Sequence, residues 1–83
     1  MEYLVYILYS HSADKYYTGH TDDLGQRMTD HNSGKGNYTS RGTPWMLKYT
    51  ESFPTRAEAM KREMEIKNKK SRKYIEFLIS SAG

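Results

Sequence analysis

The sequence predicts an α+β fold in which a small, three-stranded, chiefly antiparallel sheet is flanked by helices in the order β-β-α-β-α-α. Two strand-like segments separated by a short turn open the chain, and a third alternating segment lies between two stretches with helical signals. The chain has 83 residues, a length that can build only one core. We therefore expect a single domain spanning 1–83, with helices packed on the sheet.

The first two strands form a predicted hairpin. Residues 2–10, EYLVYILYS, are apolar on both alternating sets, which is typical of a central strand covered on two faces. The turn-like residues 10–14 lead into KYYTGHT at 15–21, which is rich in the strand formers Tyr and Thr. We expect Tyr6 and Tyr17 to lie roughly opposite one another in this hairpin.

A helix is predicted over residues 21–34. Thr21 or Asp22 can cap its start, and Gly34 can end it. The apolar stripe of this helix includes a histidine and borders an arginine, which is unusual for a face that packs on a core. The stripe comprises Leu24, Met28 and His31, with Arg27 beside it.

A loop and a third strand follow. Residues 34–44 hold three glycines and two cations, which is typical of a long loop with free backbone N–H groups. The alternation over residues 45–53 then predicts a half-buried strand, because apolar side chains recur on one side. These side chains are Trp45, Leu47, Tyr49 and Phe53.

Helical signals return at Thr55, which can cap a helix that runs to Lys67, with Glu58 at the third position as in a capping box. Glu63 projects from the half of this helix that is predicted to face the protein. At ~100° per residue, that half contains Ala57, Ala59, Met60, Met64 and Ile66, and the opposite half contains Glu58, Lys61, Arg62 and Glu65. Residues 74–79, YIEFLI, predict a last apolar helix.

Charge and composition narrow the class of partner. The net charge is +3, and residues 54–83 carry eight Lys/Arg against four Asp/Glu, so the basic character belongs to the C-terminal third. A basic face attracts polyanions, which makes nucleic acid the first partner to consider. The chain has no cysteine, no apolar run near the ~20 residues of a membrane span and no basic leader. We expect a soluble, cytoplasmic protein, complete as written, without membrane contact.

Three charged or polar residues break the rule that a core-facing helix stripe is apolar, and such violations are typical of functional sites. They are Arg27, His31 and Glu63. If both helices flank the sheet that bears Tyr6 and Tyr17, the five side chains converge on one site suited to phosphodiester cleavage. A carboxylate can hold Mg²⁺, an arginine can neutralise phosphoryl oxygens, and an imidazole or phenol can move protons.

Each of these residues also has a structural interpretation. Tyrosines in strands are usually packing residues, and His31 near a helix C-terminus can cap carbonyl groups or favour the helix dipole. Glu63 and Lys67 are spaced as an i, i+4 salt bridge. The basic run at 67–73 is by default a solvated face. No single residue therefore carries an enzyme assignment.

The combination of motifs resembles the GIY-YIG nuclease superfamily, and in particular its small single-domain bacterial members. The resemblance extends from Tyr6 to about Lys73, and the order of the motifs is fairly specific. The motifs are VYI at 5–7, YTG at 17–19, Arg27 with His31, GKG at 34–36, PW at 44–45 and REMEIK at 62–67. Val5 and Thr18 differ from the motif letters that name the family, at positions that do not touch the reactive groups.

The resemblance implies divalent-metal-dependent cleavage of DNA. It makes Tyr6 a general base or an orienter of the attacking water, and Tyr17 a hydrogen-bonding partner of water or phosphate. Arg27 would stabilise the transition state, and His31 would assist proton transfer or contact phosphate. Glu63 would be the sole protein ligand of Mg²⁺ or Mn²⁺.

The substrate-binding set is expected to be mainly cationic. His20 follows Gly19 where several relatives have lysine, and Gly19 leaves room for close backbone approach. The predicted substrate-binding residues are His20, Lys35, Arg41, Lys67, Lys69, Lys70, Arg72 and Lys73. DNA is the expected partner, no small-molecule cofactor is expected, and the protein would be a monomer or weak dimer with low sequence specificity.

Two other functions fit the same sequence. The chain could be a catalytically silent nucleic-acid-binding module, with affinity from the loop and C-terminal cations and stacking on Tyr38. It could also be a protein-interaction domain that dimerises through an exposed edge strand at 45–53. Cleavage assays with Mg²⁺ and Mn²⁺ discriminate among these functions.

Overall fold

The computed structural model describes residues 2–33 and 42–81, and it confirms the α+β class and the β-β-α-β-α-α order. Its sheet is antiparallel throughout, in the order β2-β1-β3. None of the helices in this part of the chain is long and apolar enough to cross a membrane. The elements are β1 (Tyr3–Ser10), β2 (Lys15–Thr21), α1 (Leu24–Asn32), β3 (Trp45–Phe53), α2 (Arg56–Lys69) and α3 (Arg72–Ser81).

Strand β1 is central, as its sequence predicts. Val5 and Ile7 pack on one side of the sheet with residues of α2 and α3, whereas Tyr6 and Leu8 pack on the other side. All four side chains are buried. Apolar residues are therefore needed at consecutive positions of β1, because both faces of the sheet are covered.

A β-bulge in β3 corrects the predicted alternation. Ile7 pairs with Tyr49 but Leu8 pairs with Leu47, so Lys48 is an extra residue that moves the following side chains to the opposite face. Trp45 therefore packs with Tyr6, while Tyr49 packs with the core on the other side of the sheet. The prediction that the apolar residues of this strand share one side was wrong, because strict alternation cannot anticipate a bulge.

Helix α1 begins later than its sequence signals predict. Asp23 is the capping residue rather than Thr21 or Asp22, and its Oδ1 accepts a hydrogen bond from the Gln26 N–H at 3.1 Å. At the other end, the Asn32 side chain binds both backbone polar groups of Trp45, at 2.6 and 3.2 Å. These bonds fix the end of α1 to the start of β3. Gly34, the predicted stop, lies outside the described residues.

Helix α2 begins at its predicted cap, since the Thr55 hydroxyl accepts from the Glu58 N–H at 3.2 Å. Its inward face is rotated relative to the prediction. Met60 and Met64 are 48% and 59% exposed, because pairing of Arg62 turns this charged residue inward. The residues that face the protein are Ala59, Arg62, Glu63 and Ile66, at the spacing i, i+3, i+4, i+7.

The inward orientation of Arg62 has a clear cause. Its guanidinium donates to the Glu51 carboxylate of β3 at 3.1 Å and to the Tyr74 hydroxyl of α3 at 3.1 Å. These partners satisfy a half-buried charge that would otherwise be costly. Arg62 therefore joins β3, α2 and α3 electrostatically, a role that the helical pattern did not reveal.

The predicted basic run spans the α2–α3 junction. Lys67 and Lys69 lie in the last turn of α2, and Lys70 ends that helix in the left-handed conformation, with φ of 48°. Arg72 and Lys73 begin α3, two residues before the predicted start of that helix. The five cations of this run therefore lie on both sides of the break between α2 and α3.

Candidate active site

The phenol of Tyr6 and the imidazole of His31 form a buried pair. Tyr6 comes from β1 and His31 from the last turn of α1, and Tyr6 Oη lies 3.0 Å from His31 Nε2. The two residues are 2% and 5% exposed. The tautomer of His31 that carries its proton on Nδ1 makes Nε2 the acceptor of the Tyr6 hydroxyl proton.

Burial has opposite effects on the pKa values of the two partners. The pKa of Tyr6 is raised well above its usual value, mainly by desolvation and to a smaller extent by repulsion from Tyr17. The positive charge of Arg27 opposes this rise. Desolvation, followed by repulsion from Arg27, lowers the pKa of His31 below 6.5. At neutral pH the pair therefore consists of a protonated phenol and a neutral imidazole.

Tyr17 joins this pair from β2, but not from the predicted position. Tyr6 pairs with Gly19, and Tyr17 pairs with Leu8, so the two tyrosines are diagonal neighbours rather than opposite one another. Diagonal neighbours remain within reach when their side chains are aromatic. The Tyr17 ring centroid lies 6.3 Å from that of Tyr6 and 4.9 Å from that of His31.

Gly19 makes room for the phenol of Tyr6. A Cβ atom at position 19 would lie 2.7 Å from Tyr6 Oη, 2.8 Å from Tyr6 Cζ and 3.1 Å from the Tyr17 ring. These distances leave no space for a side chain. Gly19 was predicted to leave room for close backbone approach, and in the structure the side chain of Tyr6 occupies that room.

Arg27 extends from α1 beside the pair with an exposed side chain. Its positive charge lowers the pKa values of both Tyr6 and His31. The Arg27 guanidinium lies close enough to influence Tyr6 and His31 electrostatically and is exposed to solvent, so it can also contact a phosphate that binds beside them. Tyr6, Tyr17, Arg27 and His31 therefore occupy one region, as the sequence predicted.

Glu63 of α2 lies between two partners. The His20 Nδ1–H donates to Oε1 at 2.6 Å, and the Lys67 ammonium donates to Oε2 at 2.5 Å. Burial alone would raise the pKa of Glu63, but hydrogen bonds from Lys67 and His20 outweigh it and lower the pKa. The half-buried carboxylate is therefore ionised at neutral pH.

His20 thus has a contact that the sequence did not indicate. It pairs with Val5 in the sheet and faces α2, whereas Tyr17 faces α1. A histidine at the next-to-last position of a strand gives no local signal for a partner 43 positions later on a helix. Only the packing of α2 against β2 reveals that His20 orients Glu63.

The two halves of the site meet at the exposed edge of β2. The Lys67 ammonium binds Glu63 and also lies 6.0 Å from the centroid of the Tyr17 ring. The negative charge of Glu63 contributes to the raised pKa of Tyr6, so these groups interact across the edge strand. The candidate site therefore extends around β2, with the phenols on one side and the carboxylate on the other.

The donor set at Glu63 fits a hard divalent cation. Mg²⁺ is commonly bound by one or two carboxylates, with water and substrate phosphate as the remaining ligands. Each oxygen of Glu63 keeps lone-pair capacity beyond its present hydrogen bond, and Lys67 is exposed enough to move. Across residues 2–33 and 42–81, no group of three or more His, Cys, Asp or Glu side chains could hold a metal.

The cations predicted to bind substrate differ in their surroundings. Arg72 donates to the Asp14 carboxylate at 2.7 Å and to Glu76 at 3.3 Å, so its guanidinium is engaged within the protein. Lys69 lies over the Tyr74 ring. Lys70 and Lys73 are exposed. The two loop cations, Lys35 and Arg41, lie outside the described residues, as does Tyr38.

Comparison with known proteins identifies the family. The model of the GIY-YIG catalytic domain matches residues 2–75. The chain belongs to the GIY-YIG family. This GIY-YIG chain is 42% identical over 84 residues to UPF0213 protein BH0048 of Halalkalibacterium halodurans. The alignment covers 100% of this chain and 87% of that protein. It is 49% identical over 57 residues to UPF0213 protein VNG_2274C of Halobacterium salinarum, with coverage of 68% and 74%.

A solved structure supports the same fold for this GIY-YIG chain. The solution NMR structure of UPF0213 protein BH0048 from Bacillus halodurans matches with a TM-score of 0.62 and 42% identity. The match covers 100% of this chain and 87% of that one. The match to the family over residues 2–75 and the similar solved structure confirm the resemblance at the level of family and fold. The GIY-YIG family is a nuclease family.

Proposed function

We propose that this protein is a divalent-metal-dependent endonuclease that hydrolyses phosphodiester bonds of DNA. The observation that carries the proposal is the buried hydrogen bond between Tyr6 and neutral His31, with Tyr17 and Arg27 beside it. A phenol and an imidazole in direct contact can pass a proton, and an adjacent guanidinium can stabilise charge on a phosphate.

Tyr6 and His31 act as a proton relay. The Tyr6 oxygen accepts a hydrogen bond from the attacking water while its hydroxyl donates to His31 Nε2. As the water attacks phosphorus, its proton passes to Tyr6 and the Tyr6 proton passes to His31. The raised pKa of Tyr6 excludes a resting phenolate, so transfer through the phenol suits this pair better than simple base catalysis by Tyr6.

Tyr17 and Arg27 position the phosphate. Tyr17 is half-exposed and adjacent to both relay residues, so its hydroxyl can orient the water or a phosphoryl oxygen. The exposed guanidinium of Arg27 can form charge-assisted hydrogen bonds to the oxygens on which negative charge develops. Tyr6 is 2% exposed, so we assign the attacking water to its oxygen and the larger phosphate to Tyr17 and Arg27.

Glu63 would hold Mg²⁺ or Mn²⁺, with His20 orienting its carboxylate. The cation, when bound, supplies Lewis-acid stabilisation of the phosphoryl oxygens. Lys67 shields the Glu63 charge in the structure described and would turn toward substrate phosphate when the cation is present. The hydrogen bond from His20 keeps the carboxylate fixed during this exchange.

DNA is the proposed substrate, read mainly through its backbone. The cations at the α2–α3 junction lie beside the site, and phosphate contacts of this kind carry no sequence information. We therefore propose low sequence specificity. The absence of cysteine in the sequence suits a reducing, cytoplasmic setting.

A plasmid-nicking assay tests this function. Wild-type protein should convert supercoiled plasmid to the nicked form with Mg²⁺ or Mn²⁺ and lose this activity when the metal is chelated. Glu63→Gln should abolish nicking, because the amide cannot supply a negative charge to the cation. Glu65→Gln is the matched control, since Glu65 is an exposed glutamate on the same helix. Equal nicking by both variants would contradict the proposal.

A second candidate is a DNA-binding module without turnover, and one observation favours it. Both oxygens of Glu63 are engaged by His20 and Lys67, an arrangement that is stable without a cation. The same assay separates the two functions. A silent module would retard DNA in a gel shift at low salt but leave plasmid intact at all concentrations of Mg²⁺ and Mn²⁺.

A further inference from the structure

A cavity of about 570 Å³ opens beside the candidate site, between β2 and the α2–α3 junction. Its volume lies within the range of pockets that bind small organic molecules. The partly exposed side chains of Ile75 and Tyr16 provide an apolar and aromatic wall, and the buried Ile66 lies beneath them. Tyr17 borders the cavity from the edge strand β2. Four cationic side chains also line the cavity, namely Lys15, Lys67, Lys70 and Arg72.

This combination matches the chemistry of a nucleotide. An apolar and aromatic wall suits a base, whose faces are hydrophobic, while ammonium groups suit the phosphates on either side. The cation of Arg72 is engaged by Asp14 and Glu76, so Lys15 and Lys70 are the groups best placed to meet phosphate. Both lysines have exposed side chains.

The cavity borders the candidate active site at two residues. Tyr17 lines the cavity and contacts the Tyr6–His31 pair, and Lys67 lines the cavity and binds Glu63. A nucleotide in the cavity would therefore be a close neighbour, along the same strand, of a phosphate at the site.

Paired DNA cannot use such a cavity. In a duplex, the faces of the bases are stacked on one another, and only groove edges and phosphates are accessible. An unpaired nucleotide can turn its base outward and bury it against apolar and aromatic side chains. The apolar wall therefore distinguishes unpaired from paired strands, whereas the lysines alone would not.

We infer that this cavity receives one unpaired nucleotide adjacent to the cleaved phosphate, so that DNA with a single-stranded segment beside a duplex is the preferred substrate class. This inference rests on the proposed function, since the cavity is assigned as an extension of the same site. It adds a binding subsite, with Ile75 as the specificity-determining wall and Lys15 as its phosphate contact.

Equilibrium binding in the presence of a metal chelator tests the inference without requiring cleavage. Fluorescence anisotropy would compare a labelled blunt duplex with the same duplex carrying a short single-stranded overhang, at one salt concentration. We expect the overhang to bind about tenfold more tightly, which corresponds to burial of one base against the wall. Equal affinities of the wild-type protein for both probes would overturn the inference.

Two variants separate the wall from the charge. Ile75→Ser should remove the preference for the overhang while leaving blunt-duplex affinity nearly unchanged, because it shortens the apolar wall without changing the charge of the cavity. Lys15→Glu should weaken overhang binding much more than Lys48→Glu does. Lys48 is the matched control, since it is an exposed strand lysine at the β3 bulge, outside the cavity lining. Equal losses from the two charge reversals would also overturn the inference.

The outcomes distinguish the inference from the proposed function. Plasmid nicking together with equal binding of the two probes refutes the cavity assignment and leaves the nuclease in place. Overhang preference without nicking under any metal supports the cavity and refutes catalysis. Failure to bind either probe and failure to nick refute both. Circular dichroism of Ile75→Ser verifies folding, because Ile75 packs against the core, and Lys15→Glu tests the cavity independently of that variant.

Discussion

The two faces of the sheet use the same central strand for different purposes. On the face beneath α2 and α3, Val5 and Ile7 pack with Ala59, Ile66 and Leu78, which are all apolar and buried. Burial of such side chains is the main favourable contribution to folding. Around β1 this face therefore supplies stability. Its charged groups lie toward the edge strands, with Arg62 neutralised by Glu51 of β3 and Glu63 held by His20 of β2.

The opposite face has a smaller core whose members carry polar groups. Tyr6 and Trp45 pack with Leu8, and Tyr17 and His31 adjoin them. A purely apolar set would fill the same space at no cost in desolvated polar atoms. Alternate residues of β1 therefore have different roles, since Val5 and Ile7 stabilise the fold and Tyr6 belongs to the candidate site. Substitutions at neighbouring positions should accordingly affect either stability or activity.

The largest effect on stability is expected at Ile7, on the apolar face. Ile7→Ala should lower the free energy of unfolding by about 2–5 kcal/mol, because it removes buried methyl groups and leaves a cavity. Denaturant titration followed by circular dichroism measures this loss. Nicking per folded molecule should remain at the wild-type level below the unfolding transition. Loss of activity in fully folded Ile7→Ala would show that the two faces are not separable.

Substitution of Arg27 should have the next largest effect, on activity alone. Arg27→Ala should reduce the rate of nicking about 100–1000-fold, the loss typical of removing one donor that stabilises a transition-state charge. Its exposed side chain contributes little to packing, so the thermal midpoint should hardly change. Arg56→Ala, at an exposed arginine that pairs with Asp22, is the control and should cut normally. Comparable losses in both variants would indicate a general charge effect.

The pH dependence should produce a smaller effect, set by His31. Its lowered pKa keeps the imidazole neutral and able to accept a proton throughout the neutral range. Because the pKa lies below 6.5, activity should be level near pH 7 and fall only on acidification below 6.5, by about tenfold per pH unit once His31 is mostly protonated.

The same group links pH to stability. Because the pKa of His31 is lowered in the folded state, the unfolded chain takes up this proton at a higher pH than the folded chain does. The free energy of unfolding should therefore decrease as pH falls below 6.5. Arg27 and Asp30 act on His31 from the same helix, and Tyr6 contacts it from β1. An acid limb centred above pH 6.5 would contradict the assignment of His31 as proton acceptor.

Much of the fold was readable from local signals. The apolar pattern of β1, the cap at Thr55 and the presence of a strand after Pro44 each reflect backbone and packing preferences that act within a few residues. The rotation of α2 and the bulge at Lys48 were not readable. They depend on pairing of Arg62 with Glu51 and on the register between β1 and β3, which are tertiary contacts.

The candidate site was partly readable for the same reason. Arg27, His31 and Glu63 broke or bordered an apolar pattern, and the motif order of the family added Tyr6 and Tyr17 to them. The diagonal placement of the tyrosines arises from the register between β1 and β2. The contact of His20 with Glu63 and the cavity beside Tyr17 arise from the way α2 packs on β2. No local pattern carries that information.

The most direct test of the central claim compares the same substitution on the two faces of the sheet. Tyr6→Phe and Tyr49→Phe each remove one hydroxyl, one from the relay with His31 and the other from a bond to Glu51. Single-turnover nicking with Mn²⁺ would measure both. We expect Tyr6→Phe to lose about 100-fold or more, and Tyr49→Phe to retain wild-type activity. Wild-type nicking by folded Tyr6→Phe would contradict the account.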